Sequence, residues 1–186
     1  MTDTLQTDTE KESSGSEIKQ AVKSQADPAT VLFRNMSERD IPAVLDVEGL
    51  CYSFPWSERV FKDCLSAGYI CRLAELEQPG KGNETSGNLV GHGILMMGPA
   101  EAHVLNLCVV PTQRGSGLAS RLLRSLLNSA VTLGAREVFL EVRRSNQAAR
   151  TLYEREGFNR IAIRQNYYNA EQGREDAVLY ALTLTQ

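Results

Sequence analysis

Long apolar runs, basic clusters and histidine are all scarce in this sequence of 186 residues. No run of about 18 apolar residues occurs, so no membrane span is predicted. Residues 1–6 lack the basic and apolar segments of a secretory signal peptide. The formal net charge of -3 excludes a generally basic surface for nucleic acids. We therefore expect a cytoplasmic protein of about one domain, with neither a membrane nor a nucleic acid as its direct partner.

Cysteine and histidine patterns that bind metals are missing as well. The cysteines form no Cys-x-x-Cys motif, and only two histidines accompany them. This spacing predicts reduced thiols, mostly buried as small hydrophobic side chains, rather than a disulfide framework. It also argues against a zinc site, so no metal is expected. The residues concerned are Cys51, Cys64, Cys71, Cys108, His92 and His103.

Two segments are strongly polar. Residues 1–30 contain nine serines and threonines, no aromatic residue and an excess of acidic over basic side chains. Such a segment buries too little apolar surface to offset the entropy of ordering, which predicts a disordered tail before a domain over residues 31–186. A short helix around Ile18–Val22 that docks on a partner is the alternative. Residues 78–87 are predicted to form an unusually long hairpin loop.

The rest of the sequence alternates between strand and helix patterns. The predicted order is one strand, two helices, a group of strands, a helix, a strand, a helix and two final strands. Helices begin after Ser37 and Ser57 and end at Gly134 and Gly157. This order predicts an α/β protein with one mixed sheet and helices on both faces. The predicted strands are Val31–Met36, Tyr69–Leu76, Leu89–Met97, Ala102–Val110, Glu137–Val142, Phe158–Ile163 and Ala177–Leu184.

A turn with two glycines connects a predicted strand to the longest predicted helix. Free N–H groups at the start of that helix, together with its dipole, suit an anion such as a phosphate. Gly117 lets the backbone approach such a ligand closely, and Arg114 adds a cation. The turn is neither a Walker A loop nor a dinucleotide-binding fingerprint, because both sequence patterns are absent. A tight connection in which the glycines serve geometry alone is the other interpretation.

One acidic residue, Glu141, interrupts an otherwise apolar strand, and Tyr153 shares a face of the next helix with Asn146. A carboxylate at the end of a strand beside a phenol can act as a base and an acid. The alternative is structural. Glu141 would then pair with Arg143 or Arg144, and Tyr153 would be a half-buried packing residue.

The glycine turn and the Glu141–Tyr153 pair, in this order, resemble the GNAT superfamily of acetyltransferases. The pyrophosphate motif of that family, Gln/Arg-x-x-Gly-x-Gly/Ala, is matched by Arg114–Ala119. The resemblance covers residues 31–185. Within the superfamily, the sequence most resembles RimI-type members, which acetylate the N-terminal alanine of small-subunit ribosomal protein eighteen. The tail and the 78–87 loop lie outside the usual family pattern. The segments that carry the narrower resemblance are Phe54–Trp56, Glu101–Leu107, Leu140–Asn146, Leu152–Phe158, Asn166–Tyr168 and Gly173–Ala177.

The resemblance implies a GNAT-type fold with a mostly antiparallel sheet, and acetyl-CoA as co-substrate. Glu141 would be the general base and Tyr153 the general acid, without a covalent intermediate on Cys108. Asn146 would form a hydrogen bond to the cofactor near its thioester. The other predicted cofactor-binding residues are Leu107, Cys108 and Val109 for the pantetheine arm, and Arg114, Gly115, Ser116, Gly117, Leu118, Ala119 and Ser120 for the pyrophosphate.

The implied partner is the N-terminal peptide of a ribosomal protein, bound by a monomer or weak oligomer. Its groove is predicted between Phe54–Trp56 and a loop over Asn166–Asp176. Trp56 either lines this groove or anchors the core. Glu175 and Asp176 either attract a basic peptide or are solvated turn charges.

Two other functions stay open. A GNAT enzyme that acetylates a lysine or a small amine would use the same catalytic pair. An acetyl-CoA-binding module without catalysis would need neither member, so the presence of both Glu141 and Tyr153 argues against it. The substrate-side segments favour a peptide α-amine over a small amine.

Overall fold

The computed structural model describes residues 30–77 and 89–184. The elements are β1 (Val31–Asn35), α1 (Ile41–Cys51), α2 (Glu58–Ser66), β2 (Ile70–Leu76), β3 (Leu89–Gly98), β4 (Glu101–Val109), α3 (Leu118–Thr132), β5 (Glu137–Arg143), α4 (Gln147–Arg155), β6 (Asn159–Asn169) and β7 (Arg174–Thr183). The seven strands form one sheet in the order β1-β2-β3-β4-β5-β7-β6. Among the strands of the described residues, only β4 and β5 are parallel neighbours. The predicted fold class, a mixed and mostly antiparallel sheet, is confirmed.

The helices cover both faces of the sheet, as predicted. On one face, α1 and α2 pack against the sheet, with Phe61 in contact with the cluster that includes Ile94. On the other face, α3 and α4 pack against a cluster that includes Leu95. Ile94 and Leu95 are consecutive residues of β3, and side chains alternate across a strand. The two clusters therefore lie on opposite sides of the sheet.

The centre of the sheet contains a fork. β4 and β5 pair from Glu101 with Glu137 up to Val104 with Leu140, and no further. Beyond that point β5 keeps its pairing with β7 along its whole length. The two parallel strands therefore separate, and we call the segments 105–109 and 141–143 the β4–β5 fork.

The predicted loop over residues 166–176 is largely strand. β6 continues to Asn169, and β7 already begins at Arg174. The pairing of β6 with β7 is irregular between Arg164 and Tyr168, and Asn166 has a left-handed backbone with φ of 50°. This break interrupts the strand pattern in the sequence, so the prediction ended the strand at Ile163.

The polar segments that the sequence predicts as a tail and a loop lie outside the described residues, apart from Thr30. Within the described ranges, none of the helices combines the length and the apolarity that crossing a membrane requires.

The prediction of four reduced thiols is wrong for two of them. Cys51, the last residue of α1, and Cys108 of β4 form a disulfide across a sequence separation of 57. Cys64 and Cys71 are free and buried, and burial raises the pKa of Cys71 to about 12. The spacing of cysteines in the sequence carries no information about this pair, because the fold alone brings α1 onto β4.

We expect reduction of the Cys51–Cys108 disulfide to lower the free energy of unfolding by up to about 4 kcal/mol, because it releases a long loop in the unfolded chain. Urea unfolding with and without a reductant measures this change. The Cys51→Ser variant is the control and should not respond to the reductant. Titration of four thiols in the unreduced, unfolded protein would contradict the disulfide.

Candidate active site

Glu141 is the first residue of β5 beyond its pairing with β4, so its carboxylate lies at the mouth of the fork. The side chain is partly exposed, and its Oε1 lies 2.7 Å from Nη1 of Arg164 on β6. The structural alternative named Arg143 or Arg144 as the partner of Glu141. The structure instead pairs Arg143 with Glu175 and Arg144 with Asp176. The cation beside Glu141 is therefore Arg164 of β6, and not one of the two arginines that follow Glu141 in the sequence.

Tyr153 of α4 packs in the buried cluster that contains Val104 and Leu140, the last pair before the fork. It is buried, and its ring packs against Phe158 and Tyr180 at centroid distances of 5.8 and 6.3 Å. Burial, and to a lesser extent the neighbouring Tyr168, raises the pKa of Tyr153 above its ordinary value. The phenol therefore stays protonated at neutral and moderately alkaline pH, which is the state that a general acid needs.

Tyr52, between α1 and α2, brings a further phenol to the fork. Its hydroxyl donates to the carbonyl of Leu107 at 2.7 Å. Burial is the main cause of the raised pKa of this phenol, and the electrostatic interaction with Tyr153 is the second. Tyr168 is part of the same group, and its pKa rises to about 12, mainly through burial. The sequence prediction did not include Tyr52.

The backbone of β4 alternates in the direction of its hydrogen bonds. Val110 N donates to Val90 O at 3.0 Å, so residues 108 and 110 face β3. Leu107 and Val109 consequently face the fork, where β5 no longer pairs with them. Two of the three residues predicted for the pantetheine arm thus present backbone groups to the open side. Cys108 uses its backbone for β3 and its side chain for the disulfide.

The glycine turn opens α3 as predicted. Gly115 and Gly117 have φ values of 79° and 81°, which residues with a Cβ rarely adopt. A Cβ at either position would meet nothing within 4 Å, so the space beside the turn is open. The first intrahelical bond of α3 is Arg121 N to Gly117 O. The N–H groups of Leu118, Ala119 and Ser120 precede that bond and are free for a ligand.

Several predicted cofactor-binding side chains also have structural partners. Asn146 caps α4, and its Oδ1 accepts from Ala149 N at 3.1 Å. Arg114 is exposed, and its Nε donates to Val109 O at 3.4 Å. The hydroxyl of Ser120 donates to Glu156, which also pairs with Arg124 at 2.7 Å. Ser120 can therefore offer its backbone N–H, but its hydroxyl is occupied.

A buried polar cluster joins α1 to β4 behind the fork. Glu48 is 1% exposed and accepts from Trp56 N at 3.0 Å and from Nδ2 of Asn106 at 3.1 Å. Nε2 of His92 lies 3.1 Å from the same carboxylate. The ligand atoms of Glu48, His92 and Cys108 lie within 4.8 Å of one another, although the sequence spacing argued against such a grouping. Cys108 is held in the disulfide, so the donor set is not free for a metal.

Exposed aromatic side chains lie on both segments between which the groove is predicted. Phe54 is 46% exposed and Tyr167 is 39% exposed. Trp56 is partly buried and its ring packs on that of Phe61, with centroids 5.6 Å apart, which favours the core-anchor interpretation. Arg143 joins the two segments, because its guanidinium lies over the ring of Phe54 at 5.5 Å and over that of Tyr168 at 4.6 Å.

The acidic residues of the hairpin are not free to attract a peptide. Oε1 of Glu175 accepts from Ser145 N at 2.6 Å, and Oε2 lies 3.4 Å from Arg143. Asp176 pairs with Arg144 at 3.3 Å and accepts from Asn166 N at 3.1 Å. Both carboxylates therefore fix the hairpin to the start of α4 and to β6.

The sequence model of the acetyltransferase (GNAT) family matches residues 41–158. The chain belongs to the GNAT family. The match runs from the start of α1 to the residue before β6, and so includes the glycine turn, Glu141 and Tyr153.

Two curated relatives within this family have the same named activity. The [ribosomal protein bS18]-alanine N-acetyltransferase of Escherichia coli is 35% identical over 151 residues, which cover 81% of this chain and 96% of that enzyme. The enzyme of the same name from Haemophilus ducreyi is 34% identical over 154 residues and is covered completely. The crystal structure of the Escherichia coli ribosomal-protein-S18-alanine N-acetyltransferase superposes with a TM-score of 0.73 over 84% of this chain and 96% of that one.

Proposed function

We propose that this GNAT protein is an N-terminal alanine N-α-acetyltransferase that uses acetyl-CoA and modifies small-subunit ribosomal protein bS18 in the cytoplasm. The proposal rests on two features: Glu141 lies just beyond the last β4–β5 pair, and Tyr153 packs in the buried cluster that contains Val104 and Leu140, the residues of that pair. The relatives that bear the name of this activity support the substrate, because the chain covers 96% of the Escherichia coli enzyme.

The fork and the glycine turn fit the two ends of acetyl-CoA. The pyrophosphate carries negative charge, and three unpartnered N–H groups precede the first bond of α3. The pantetheine arm contains amide groups that can pair with a strand, and the backbone of Leu107 and Val109 faces the gap left by β5. We assign the pyrophosphate to residues 114–120, the pantetheine arm to Leu107 and Val109, and the thioester end to the side-chain amide of Asn146.

Glu141 and Tyr153 divide the proton transfers between them. A peptide α-ammonium has a pKa of about 8, so it must lose a proton before its nitrogen can attack. Glu141 accepts that proton, directly or through a water molecule. The nitrogen forms the new bond to the acetyl carbon, the carbon–sulfur bond breaks, and Tyr153 supplies a proton to the departing sulfur. The nitrogen then gives up its second proton and the phenolate of Tyr153 is reprotonated, so that the products are the amide and the thiol of coenzyme A. The buried phenol is held in its protonated form for this step.

We expect the Gly117→Glu variant to lose the increase in melting temperature that acetyl-CoA causes in the wild-type protein. A ligand at about 100 times its Kd stabilises the native state by roughly 2.7 kcal/mol. The glutamate would place a side chain and a negative charge in the open space beside the turn. Thermal unfolding with and without acetyl-CoA measures the effect.

The Gly134→Glu variant is the matched control for backbone strain. Gly134 has a φ of 85° and an equally open environment, but it lies at the other end of α3. This variant should lose intrinsic stability like Gly117→Glu and keep the full response to acetyl-CoA. An unchanged response to acetyl-CoA in Gly117→Glu would contradict the assignment of the pyrophosphate to this turn.

Three acceptors test the proposed reaction against its alternatives. With acetyl-CoA, the enzyme should acetylate a peptide that begins with Ala-Arg. It should not acetylate the same peptide with a blocked α-amine, nor a polyamine. Acetylation of the polyamine alone would favour the small-amine enzyme, and acetylation of the blocked peptide at a lysine side chain would favour a lysine acetyltransferase. Binding of acetyl-CoA without transfer to any acceptor would favour the non-catalytic module.

A further inference from the structure

The carboxylate of Glu141 on β5 forms an ion pair with Arg164, which lies on β6. Ala162 of β6 and Glu141 of β5 both pair with Leu179 of β7, so they lie in one row across the sheet. Arg164 is two residues beyond Ala162 and therefore points to the same face. Its Nη1 reaches diagonally to Oε1 of Glu141 at 2.7 Å.

The guanidinium of Arg164 is held on two sides. It lies over the ring of Tyr167, with Cζ 4.8 Å from the ring centroid. Tyr167 in turn is next to Glu141, whose carboxylate is the main cause of the raised pKa of this phenol. Arg164, Tyr167 and Glu141 thus form a closed group at the mouth of the fork.

The backbone irregularity of β6 creates this arrangement. Nε of Arg174 donates to Asn166 O at 2.6 Å, and its Nη2 donates to Tyr167 O at 2.7 Å. These bonds fix the segment in which Asn166 has its left-handed conformation. Arg164 and Tyr167 are thereby brought to the same side of Glu141, which a regular strand would not do for residues three apart.

We propose that Arg164 is a positioning residue for Glu141, an inference that rests on the proposed function. Its guanidinium holds Oε1, so that Oε2 is presented to the α-amine of the substrate. A base that is free to rotate would spend less time in the orientation that accepts the proton, and small misplacements of a reacting group are costly. The ion pair thus acts on catalysis through Glu141.

The test compares Arg164→Gln, Arg164→Lys and the control Arg160→Gln in the Ala-Arg peptide assay. Arg160 is an exposed arginine of the same strand without contact to Glu141. We expect Arg164→Gln to lower kcat roughly 10- to 100-fold with little change in the KM for acetyl-CoA. Arg164→Lys should keep a larger fraction of the activity, and Arg160→Gln should match the wild type. Free guanidinium should partly restore Arg164→Gln, whereas sodium chloride at equal ionic strength should not.

A double-mutant cycle separates positioning from a general structural role. If Arg164 acts through Glu141, then Arg164→Gln should cost nothing further in a protein that already carries Glu141→Gln. Additive losses, or wild-type kcat in Arg164→Gln, would overturn the positioning role while the wild-type enzyme still acetylates the peptide. Absence of transfer by the wild-type enzyme would instead refute the proposed function, and the inference with it.

Discussion

Replacement of Glu141 by glutamine is expected to lower turnover of the Ala-Arg peptide by about 10²–10⁴-fold at neutral pH. Glutamine keeps the shape of the side chain but cannot accept a proton. Part of the loss should be recovered as the pH rises above about 8, because the peptide amine then loses its proton in solution. The rate constant kcat, measured across the pH range at saturating acetyl-CoA, reports both effects.

The control for Glu141→Gln is Glu137→Gln, which makes the same change at the start of β5. Glu137 is exposed and lies on the same face of the strand as Glu141, but it is within the part of β5 that still pairs with β4. This variant should have wild-type kcat at every pH. Near-normal turnover by a folded Glu141→Gln protein across the whole pH range would show that Glu141 is not the general base.

The Tyr153→Phe variant is expected to have its turnover lowered by a comparable factor, about 10²–10⁴-fold, for a different reason. The change removes only the hydroxyl that protonates the departing sulfur. Because the raised pKa keeps the wild-type phenol protonated well into the alkaline range, the deficit should persist at high pH. The pH dependence of the two variants therefore differs, although their losses at neutral pH are similar.

Tyr180→Phe provides the structural comparison for Tyr153→Phe. Tyr180 packs beside Tyr153, and its hydroxyl donates to Oε1 of Glu154 at 2.7 Å. Loss of that hydroxyl should lower stability and leave turnover of the folded protein near the wild-type value. If Tyr153→Phe behaves in the same way, with lower stability and normal kcat, then Tyr153 is a packing residue and not the acid.

The fold could be predicted because its signals are local. Alternation in the strands, Ser57 before α2 and the glycines after α3 and α4 each mark an element within a few residues. The same holds for the glycine turn, where two positive φ angles require glycine. Local signals failed between Arg164 and Tyr168, because a backbone irregularity there disguises the strand.

The pairings of the site could not be predicted, because they join residues that are distant in sequence. Arg164 reaches Glu141 only through the order β5-β7-β6, and Tyr52 reaches Leu107 only because α1 ends over β4. The Cys51–Cys108 disulfide depends on the same contact. The sequence analysis left the role of Glu175 open, and its contacts with Ser145 N and Arg143 appear only in the fold. Sequence patterns thus predicted candidate reacting residues, but not the side chains that contact them from distant parts of the sequence.

The most direct measurement is the mass of the N-terminal peptide of ribosomal protein bS18 from a strain of the source organism that lacks this protein. The account predicts that this peptide begins with an unmodified alanine in the deletion strain and carries one acetyl group in the parent. The wild-type gene should restore the acetyl group, and the Glu141→Gln gene should not. A fully acetylated bS18 N-terminus in the deletion strain would contradict the account.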